Sequence, residues 1–205
     1  MANTSGAFGL RPINLAGGAP NSQGTNAYFI ASDASAIYNG SPVIATNGGT
    51  IAITGSASGD TYKHLGAFNG CEYVSSVTGK KTWSNYWPGS GANTNFDIVG
   101  YVYDNPTQRF VIATDATFTN RATAKAAIFE NTQFNTGTSG STVTGTSSAS
   151  MDVATLDASN ESLPLKIVGI YTDPTNQDFT AAGVQMIVMF NNHALLQANS
   201  EGTVA

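Results

Sequence analysis

Short apolar runs, each about as long as a β-strand, recur through most of the chain. They are rich in Val, Ile, Tyr, Phe and Thr, which favour strands, and turn-forming residues such as Asn47-Gly48-Gly49 and Asn69-Gly70 separate them. Closely spaced strands joined by tight turns pair with their neighbours, so we expect a mainly β fold, a single antiparallel β-barrel or β-sandwich domain. The runs span 27–31, 42–45, 50–54, 71–77, 97–103, 108–113, 163–172 and 184–190.

One segment has helical spacing instead. In 119–130 (TNRATAKAAIFE), Ala122, Ala126 and Phe129 recur at three- and four-residue intervals, and Thr119 or Asn120 is placed to cap the first turn. The sequence therefore predicts one short helix.

The tract 131–151 that follows contains no charged residue and consists mostly of Thr, Ser and Gly. Such a composition buries little apolar area, so the tract is interpreted as a long loop or as edge hairpins, with disorder as the alternative. It lies within a predicted body of residues 26–190, which a short tail of 191–205 follows.

Residues 1–25 form the predicted N-terminal arm. Its apolar side chains are too few to enclose a core, and its glycines and prolines prevent a helix that could dock by one face. We therefore expect an extended arm whose apolar groups are received outside it. On this interpretation the isolated arm is mobile, and removing 1–23 leaves the body folded.

Composition excludes several classes of function. Only 10% of the 205 residues are charged, so polar uncharged side chains cover the surface, which suits assembly. With a net charge of −5 and scattered Lys and Arg, no basic patch for nucleic acid is expected. Cys71 is the only cysteine, which excludes an intrachain disulfide and a Cys-based metal site. No apolar run approaches membrane-spanning length, so no membrane association is expected.

Catalytic motifs are lacking around the histidines. His64 and His193 belong to no recognisable metal-binding or nucleophile-activating pattern, and packing roles are favoured for both. The segment 79–82 (GKKT) resembles a phosphate loop only weakly and is interpreted as a charged hairpin turn.

Acidic residues give two further candidates. Asp173 with Asp178, or Asp152 with Asp157, could act as paired carboxylates in glycoside hydrolysis, but turn and cap roles are favoured. The segment 93–97 (NTNFD) resembles the opening of a calcium loop, yet the glycine turn and the distal Glu are missing. We therefore predict no catalytic, metal-binding or cofactor-binding residues and no enzyme activity.

Both tryptophans lie in one aromatic cluster, Trp83, Tyr86 and Trp87, before Pro88-Gly89. Three interpretations compete: core packing, a subunit or shell interface, and a sugar-stacking platform. If the segment is extended, strand alternation places Trp83 and Trp87 on one face.

Three stretches resemble one known family. They are MANTSGAFGLRPI at 1–13, GCEYVSSVTGKKTWSNYWPG at 70–89, and LPLKIVGIYTDPTN followed by VQMIVMFNNHAL at 163–176 and 184–195. In this order they resemble the capsid cement, or decoration, proteins of tailed bacteriophages. The resemblance implies a non-enzymatic, β-rich virion protein, assembled in the host cytoplasm, that binds the outer surface of the head and bridges neighbouring major capsid subunits.

Partners and contact residues follow from this interpretation. The major capsid protein is the expected partner, and self-association as a homotrimer, with a dimer as the alternative, would supply multivalent attachment. A carbohydrate-binding module remains the rival function. The predicted contact residues are Phe8, Leu10, Arg11, Pro12, Ile13, Trp83, Tyr86 and Trp87.

Overall fold

The computed structural model describes residues 3, 6–18, 20, 24–54 and 64–196, which form thirteen strands, one α-helix and one 3-10 helix. The strands are β1 (Arg11–Leu15), β2 (Asn26–Ile30), β3 (Pro42–Ala45), β4 (Thr50–Ile53), β5 (His64–Val74), β6 (Lys81–Ser84), β7 (Ile98–Tyr103), β8 (Gln108–Ala113), β9 (Asn131–Thr132), β10 (Phe134–Asn135), β11 (Ser150–Met151), β12 (Leu165–Ile170) and β13 (Gln185–Phe190). The helix α1 spans Arg121–Ala126, and the 3-10 helix spans Val153–Thr155. The predicted mainly β fold is confirmed.

One sheet has five strands in the order β1-β8-β13-β12-β9, all antiparallel. Its inner face carries Phe110, Val188 and Leu165, which are buried in the larger of the two main hydrophobic clusters. Helix α1 contributes Ala124 to the same cluster. Alternation along each strand therefore leaves the other face of this sheet turned away from the core.

The other large sheet closes on itself. Its order is β3-β4-β2-β7-β5-β6, and β3 also pairs with β5, so five of its strands form a ring. Strand β5 makes this closure because its first half pairs with β3, as in Pro42↔Ala67, and its second half with β6, as in Cys71↔Ser84. The result is a small barrel with β6 added as an edge strand.

The barrel has its own core, in which large apolar side chains meet inside the ring. Gly100 lies on the inward side of β7, where an added Cβ would come within 2.9 Å of both Ile30 and Phe68. A side chain at this position would therefore displace core groups. The buried members of the barrel core are Ile30, Ile37, Val43, Ile51, Leu65, Phe68, Cys71, Trp87, Ile98 and Val102.

The predicted helix is confirmed together with its cap. The Asn120 side chain accepts hydrogen bonds from the backbone N–H of Ala122 at 2.8 Å and of Thr123 at 3.1 Å. The Thr123 hydroxyl in turn accepts from the Asn120 N–H at 3.1 Å, which completes a capping box. Asn120, one of the two predicted caps, therefore starts α1.

The expectation for the arm is wrong for its two most apolar anchors. Leu10 lies in the five-stranded sheet's core with 2% of its surface exposed, and its N–H donates to the Gly40 carbonyl at 2.8 Å. Phe8, 5% exposed, packs against Val111 on the opposite face of that sheet. Strand β1 pairs with β8, so the chain's own sheet edge receives the arm, and removal of 1–23 would take away a strand. Residues 1–2, 4–5, 19 and 21–23 of the predicted arm lie outside the described residues.

The Thr/Ser/Gly-rich tract is built partly as the predicted hairpin. Strands β10 and β11 pair antiparallel, with Phe134 opposite Met151. Both side chains are fully buried in the five-stranded sheet's core, as is Ala149. The tract therefore buries more apolar surface than its composition suggested.

The start of the predicted tail is also part of the fold. The His64 N–H donates to the Asn192 carbonyl at 3.0 Å, and the Ala194 N–H donates to the His64 carbonyl at 2.9 Å. These bonds fasten residues 192–194 to the beginning of β5. The remainder of the tail, 197–205, lies outside the described residues.

Candidate interaction face

A row of outward-facing side chains crosses four adjacent strands of the barrel wall. The strand registers align Phe29 with Val99, Val99 with Glu72, and Glu72 with Trp83. Three inter-strand spacings of about 4.8 Å give this barrel-wall row a length of about 14 Å. The row ends on β6, the edge strand of its sheet.

The two aromatic ends of the barrel-wall row are open to solvent. Trp83 is 58% exposed and Phe29 is 52% exposed, although each is a large apolar side chain. The neighbouring residue Ile30 points into the barrel core, so alternation turns Phe29 outward. Exposed aromatic rings are typical of protein contact surfaces.

An ion pair lies beside Trp83. The Lys81 ammonium contacts the Glu72 carboxylate, and this hydrogen bond lowers the pKa of Glu72 and raises that of Lys81. Burial, followed by the charge of Glu72, raises the pKa of the Tyr101 hydroxyl nearby. Because the two charges satisfy each other, the centre of the row presents a neutral pair between two aromatic groups.

Trp87 is a core residue, so its prediction as a contact residue is wrong. It has no exposed surface, its indole N–H donates to the Ala34 carbonyl at 3.1 Å, and the Tyr73 ring packs edge-on against it. Strand β6 ends at Ser84, and the bend that follows separates Trp83 from Trp87. The two indoles therefore do not share a face.

Tyr86 is half-buried and lies between the two tryptophans. Its ring stacks on Tyr38 with centroids 5.7 Å apart and planes 8° apart. With Trp83 on the barrel wall and Trp87 in the core, the three rings do not form the flat platform that a stacked sugar would need.

The arm residues divide between the core and a different surface. Phe8 and Leu10 are buried in their own chain, which corrects their prediction as contact residues. Arg11 is exposed, with its guanidinium carbon 3.9 Å from the centroid of the Phe8 ring. Pro12 and Ile13 are half-buried and line an open cleft of about 500 Å³. None of these residues lies on the barrel-wall sheet that carries Trp83.

Phe29 and Val99 are surface residues that were not predicted from the sequence. Each lies in a predicted strand, and alternation within the run AYFIA could have separated an inward Tyr28 and Ile30 from an outward Phe29. Their alignment with Trp83 depends on pairing through β7 and β5, which no local pattern reveals.

The two histidines meet where the barrel joins the five-stranded sheet. They form a parallel bridge, and the His64 ring lies 5.4 Å from each of the Phe134 and Phe190 rings. No described residue hydrogen-bonds to either ring nitrogen of His64. Burial, and next the charge of His193, lower the pKa of His64 to about 3. The packing role predicted for this residue fits these contacts.

A polar network lies next to the histidine pair. Asp104 is buried and accepts hydrogen bonds from the Tyr28 hydroxyl at 2.5 Å and from the Asn26 amide at 2.9 Å. Burial lowers the pKa of His193, and the Asp104 charge opposes this shift. Burial, followed by the hydrogen bond to Asp104, raises the pKa of Tyr28.

The acidic pairs perform the predicted turn and cap functions. The Asp173 carboxylate accepts from the Thr175 N–H and hydroxyl, and Asp178 does the same with Thr180, which lowers the pKa of both acids. Asp152 caps the 3-10 helix.

Asp157 also has a turn role, because its carboxylate accepts hydrogen bonds from the Ser159 hydroxyl and N–H, which lower its pKa.

Burial raises the pKa of the Cys71 thiol to about 12. Within the described part of the chain, no group of three or more His, Cys, Asp or Glu side chains could hold a metal ion. Among the same residues, no helix is long and apolar enough to cross a membrane.

Comparisons with protein-family models, curated proteins and solved structures gave no match for this chain. The resemblance to capsid cement proteins therefore stays a prediction based on the three sequence stretches. The structure adds the barrel-wall row as the surface on which to test it.

Proposed function

We propose that this protein is a structural component of a tailed-bacteriophage virion that binds the outer surface of the head and cements neighbouring major capsid subunits. The observation that supports this function best is the barrel-wall row, which places exposed Phe29 and Trp83 on the wall of a closed barrel. Cementing a shell needs a rigid body with apolar anchors on its outside. The closed barrel supplies the rigid body, and the row supplies the anchors.

The row suits a broad protein surface. Its members lie side by side on one wall, and an aromatic side chain buries about 150–250 Å². Covering the exposed half of Trp83 removes roughly 120 Å² from water, which corresponds to about 3 kcal/mol at about 25 cal/mol per Å². A contribution of that size is typical of an aromatic hot-spot residue.

We expect the folded body, and not the N-terminal arm, to contact the shell. Phe8 and Leu10 are already buried, so attachment falls to side chains that stay exposed on the folded body. On the edge strand β6, Lys81 forms an ion pair with Glu72, whereas the Trp83 side chain is exposed to solvent. We expect Trp83 and Phe29 to contact the shell on either side of this neutral ion pair.

A protein that holds a shell against internal pressure also gains from binding the shell through several sites at once. We propose a homotrimer, because linked binding sites raise apparent affinity by about 10²- to 10⁴-fold without new kinds of contact. Native mass measurement of the free protein and of its stoichiometry on shells tests this assembly. A monomer bound singly at isolated sites would exclude it.

Co-sedimentation with undecorated heads of a tailed bacteriophage tests the function. Trp83→Ala should weaken binding about 30-fold, equivalent to about 2 kcal/mol, and Phe29→Ala should weaken it less. The matched control is Phe129→Ala, which removes an aromatic ring that is 70% exposed and lies after α1, away from the barrel wall. Its binding should equal that of the wild type.

The same proteins distinguish the rival function. If wild-type protein ignores shells while its tryptophan fluorescence responds to glycans and Trp83→Ala abolishes that response, the protein is a carbohydrate-binding module. If Trp83→Ala and Phe129→Ala bind shells equally well, the barrel-wall row is not the contact surface.

A further inference from the structure

Three cationic side chains share the outer face of the five-stranded sheet. Arg11 is on β1, Arg109 on β8 and Lys166 on β12, each at a position that alternates with a core residue such as Phe110 or Leu165. They are three of the chain's eight Lys and Arg residues. Although scattered in the sequence, they are therefore gathered by the strand pairing.

Apolar side chains lie between these cations. Arg11 is opposite Val111, Val111 is opposite Ile187, and Met189 is opposite Lys166. Ile187 and Met189 are partly exposed. Val111 itself is buried against Phe8. We call the remaining set the basic face; its members are Arg11, Arg109, Lys166, Ile187 and Met189.

The cations of the basic face have no acidic partner among the described residues, where the one ion pair joins Lys81 to Glu72. Arg11 stacks on Phe8, and Lys166 donates to the Asn131 side chain at 3.3 Å. The Nε of Arg109 is buried, and no described residue accepts a hydrogen bond from it.

One carboxylate lines the cleft at the Arg11 end of the basic face. Asp173 lines the same cleft of about 360 Å³ as Arg11, and its hydrogen bonds with Thr175 lower its pKa, so it is ionised near neutral pH. It forms no ion pair with Arg11. The three cations and Asp173 together carry a formal charge of +2, in a chain whose net charge is −5.

We propose that the basic face binds an extended, acidic segment of a partner protein. Neighbouring strands lie about 4.8 Å apart and alternate residues about 6.7 Å apart, so the α-carbons of Arg11 and Arg109 are about 8 Å apart. An extended segment presents a side chain on one side at a similar interval, which lets alternate carboxylates meet successive cations. The Arg109 guanidinium, which has no acidic partner among the described residues, can bind a carboxylate through two hydrogen bonds.

A protein segment fits this face better than a nucleic acid does. Ile187 and Met189 separate the cations and match apolar side chains of a partner, whereas a phosphate backbone offers only charge. Three cations beside Asp173 would also release few counterions from DNA. The inference is independent of shell binding, because it uses a sheet that does not carry Trp83.

Fluorescence anisotropy with a labelled peptide of six Glu-Thr repeats tests the proposal on the full-length chain. Wild-type protein should bind this peptide at low salt and should not bind the Gln-Thr peptide. At 1 M salt it should lose most of the binding, because the Debye length falls to about 3 Å and charges farther apart are screened. The double variant Arg11→Gln/Lys166→Gln should bind about tenfold more weakly, as expected for two lost cation–carboxylate contacts.

The matched control is Lys80→Gln/Lys125→Gln, which removes two exposed cations elsewhere and gives the same net charge. Equal loss in both double variants would indicate attraction by net charge and overturn the proposal. Equal binding of a single-stranded DNA 12-mer would overturn the choice of a protein partner. Trp83→Ala should bind the Glu-Thr peptide as the wild type does, so failure of shell binding and failure of this inference are separable.

Discussion

Replacing His64 by phenylalanine should remove part of the protein's sensitivity to acid. The wild-type ring has no exposed surface, lies among aromatic rings, and has a pKa of about 3 instead of 6.5. It is therefore neutral in the folded protein across a pH range in which the unfolded chain binds a proton. Acid shifts the equilibrium toward the unfolded chain.

The size of this effect follows from the two pKa values. Folding lowers the pKa of His64. The contribution of this residue to the free energy of unfolding is therefore fully present above about pH 6.5 and is lost as the pH falls from 6.5 toward 3. Each pH unit within that window costs about 1.4 kcal/mol. Acidification from pH 7 to pH 4 should therefore cost the wild type about 3 kcal/mol through this one group.

Urea denaturation at pH 7, 6, 5 and 4 measures the effect for wild type and His64→Phe. All other titratable side chains are the same in both proteins, so the difference between the two pH profiles isolates the contribution of His64. We expect the variant to lose about 3 kcal/mol less than the wild type over this range. Equal losses would refute the reasoning, and so would a wild-type His64 imidazole that titrates above pH 5 by NMR, a measurement that does not depend on the variant folding.

Two further predictions concern close packing, and both are measured as free energies of unfolding in urea at pH 7. Leu10→Ala should cost about 2–5 kcal/mol because it empties a core site, whereas Ile13→Ala, at a half-buried position of β1, should cost less; equal small costs would mean that the arm is not part of the core. Gly66→Ala should cost about 3 kcal/mol or more, because the added Cβ would lie 2.1 Å from the Tyr103 carbonyl oxygen. The control is Gly169→Ala, whose Cβ would meet only Ile187, at 3.8 Å. Equal losses of stability in the two variants would contradict this prediction.

Local pattern predicted strands well where apolar side chains enter a core. The runs at 42–45 and 108–113 coincide with β3 and β8, in which most side chains are buried. Strands β1 and β6 were missed because β1 contains a proline and lies at a sheet edge, and because β6 has one apolar residue, Trp83, which faces outward. An edge strand with a single buried side forms by pairing with its neighbour, and that preference is weak in its own sequence.

The barrel-wall row could be predicted from the sequence only in part. Trp83 was named, but its proposed companion Trp87 enters the core because the Ser84 hydroxyl bonds to the Tyr86 carbonyl at 2.6 Å in the bend after β6. The observed companion, Phe29, comes from a distant part of the chain. Residues so far apart become neighbours through strand order and register, which depend on the whole fold.

The N-terminal segment illustrates the same limit energetically. Its composition suits docking on its own body or on a neighbouring subunit, since Phe8 and Leu10 need only an apolar site and a free strand edge. Covalent linkage favours docking on its own body, because it holds β8 of the same chain close to β1 whatever the protein concentration. A neighbouring chain would have to exceed that advantage and also replace the bond from Leu10 to Gly40. Under the proposed function, attachment to another subunit would therefore fall to side chains that folding leaves exposed, and Trp83 is the largest of them among the described residues.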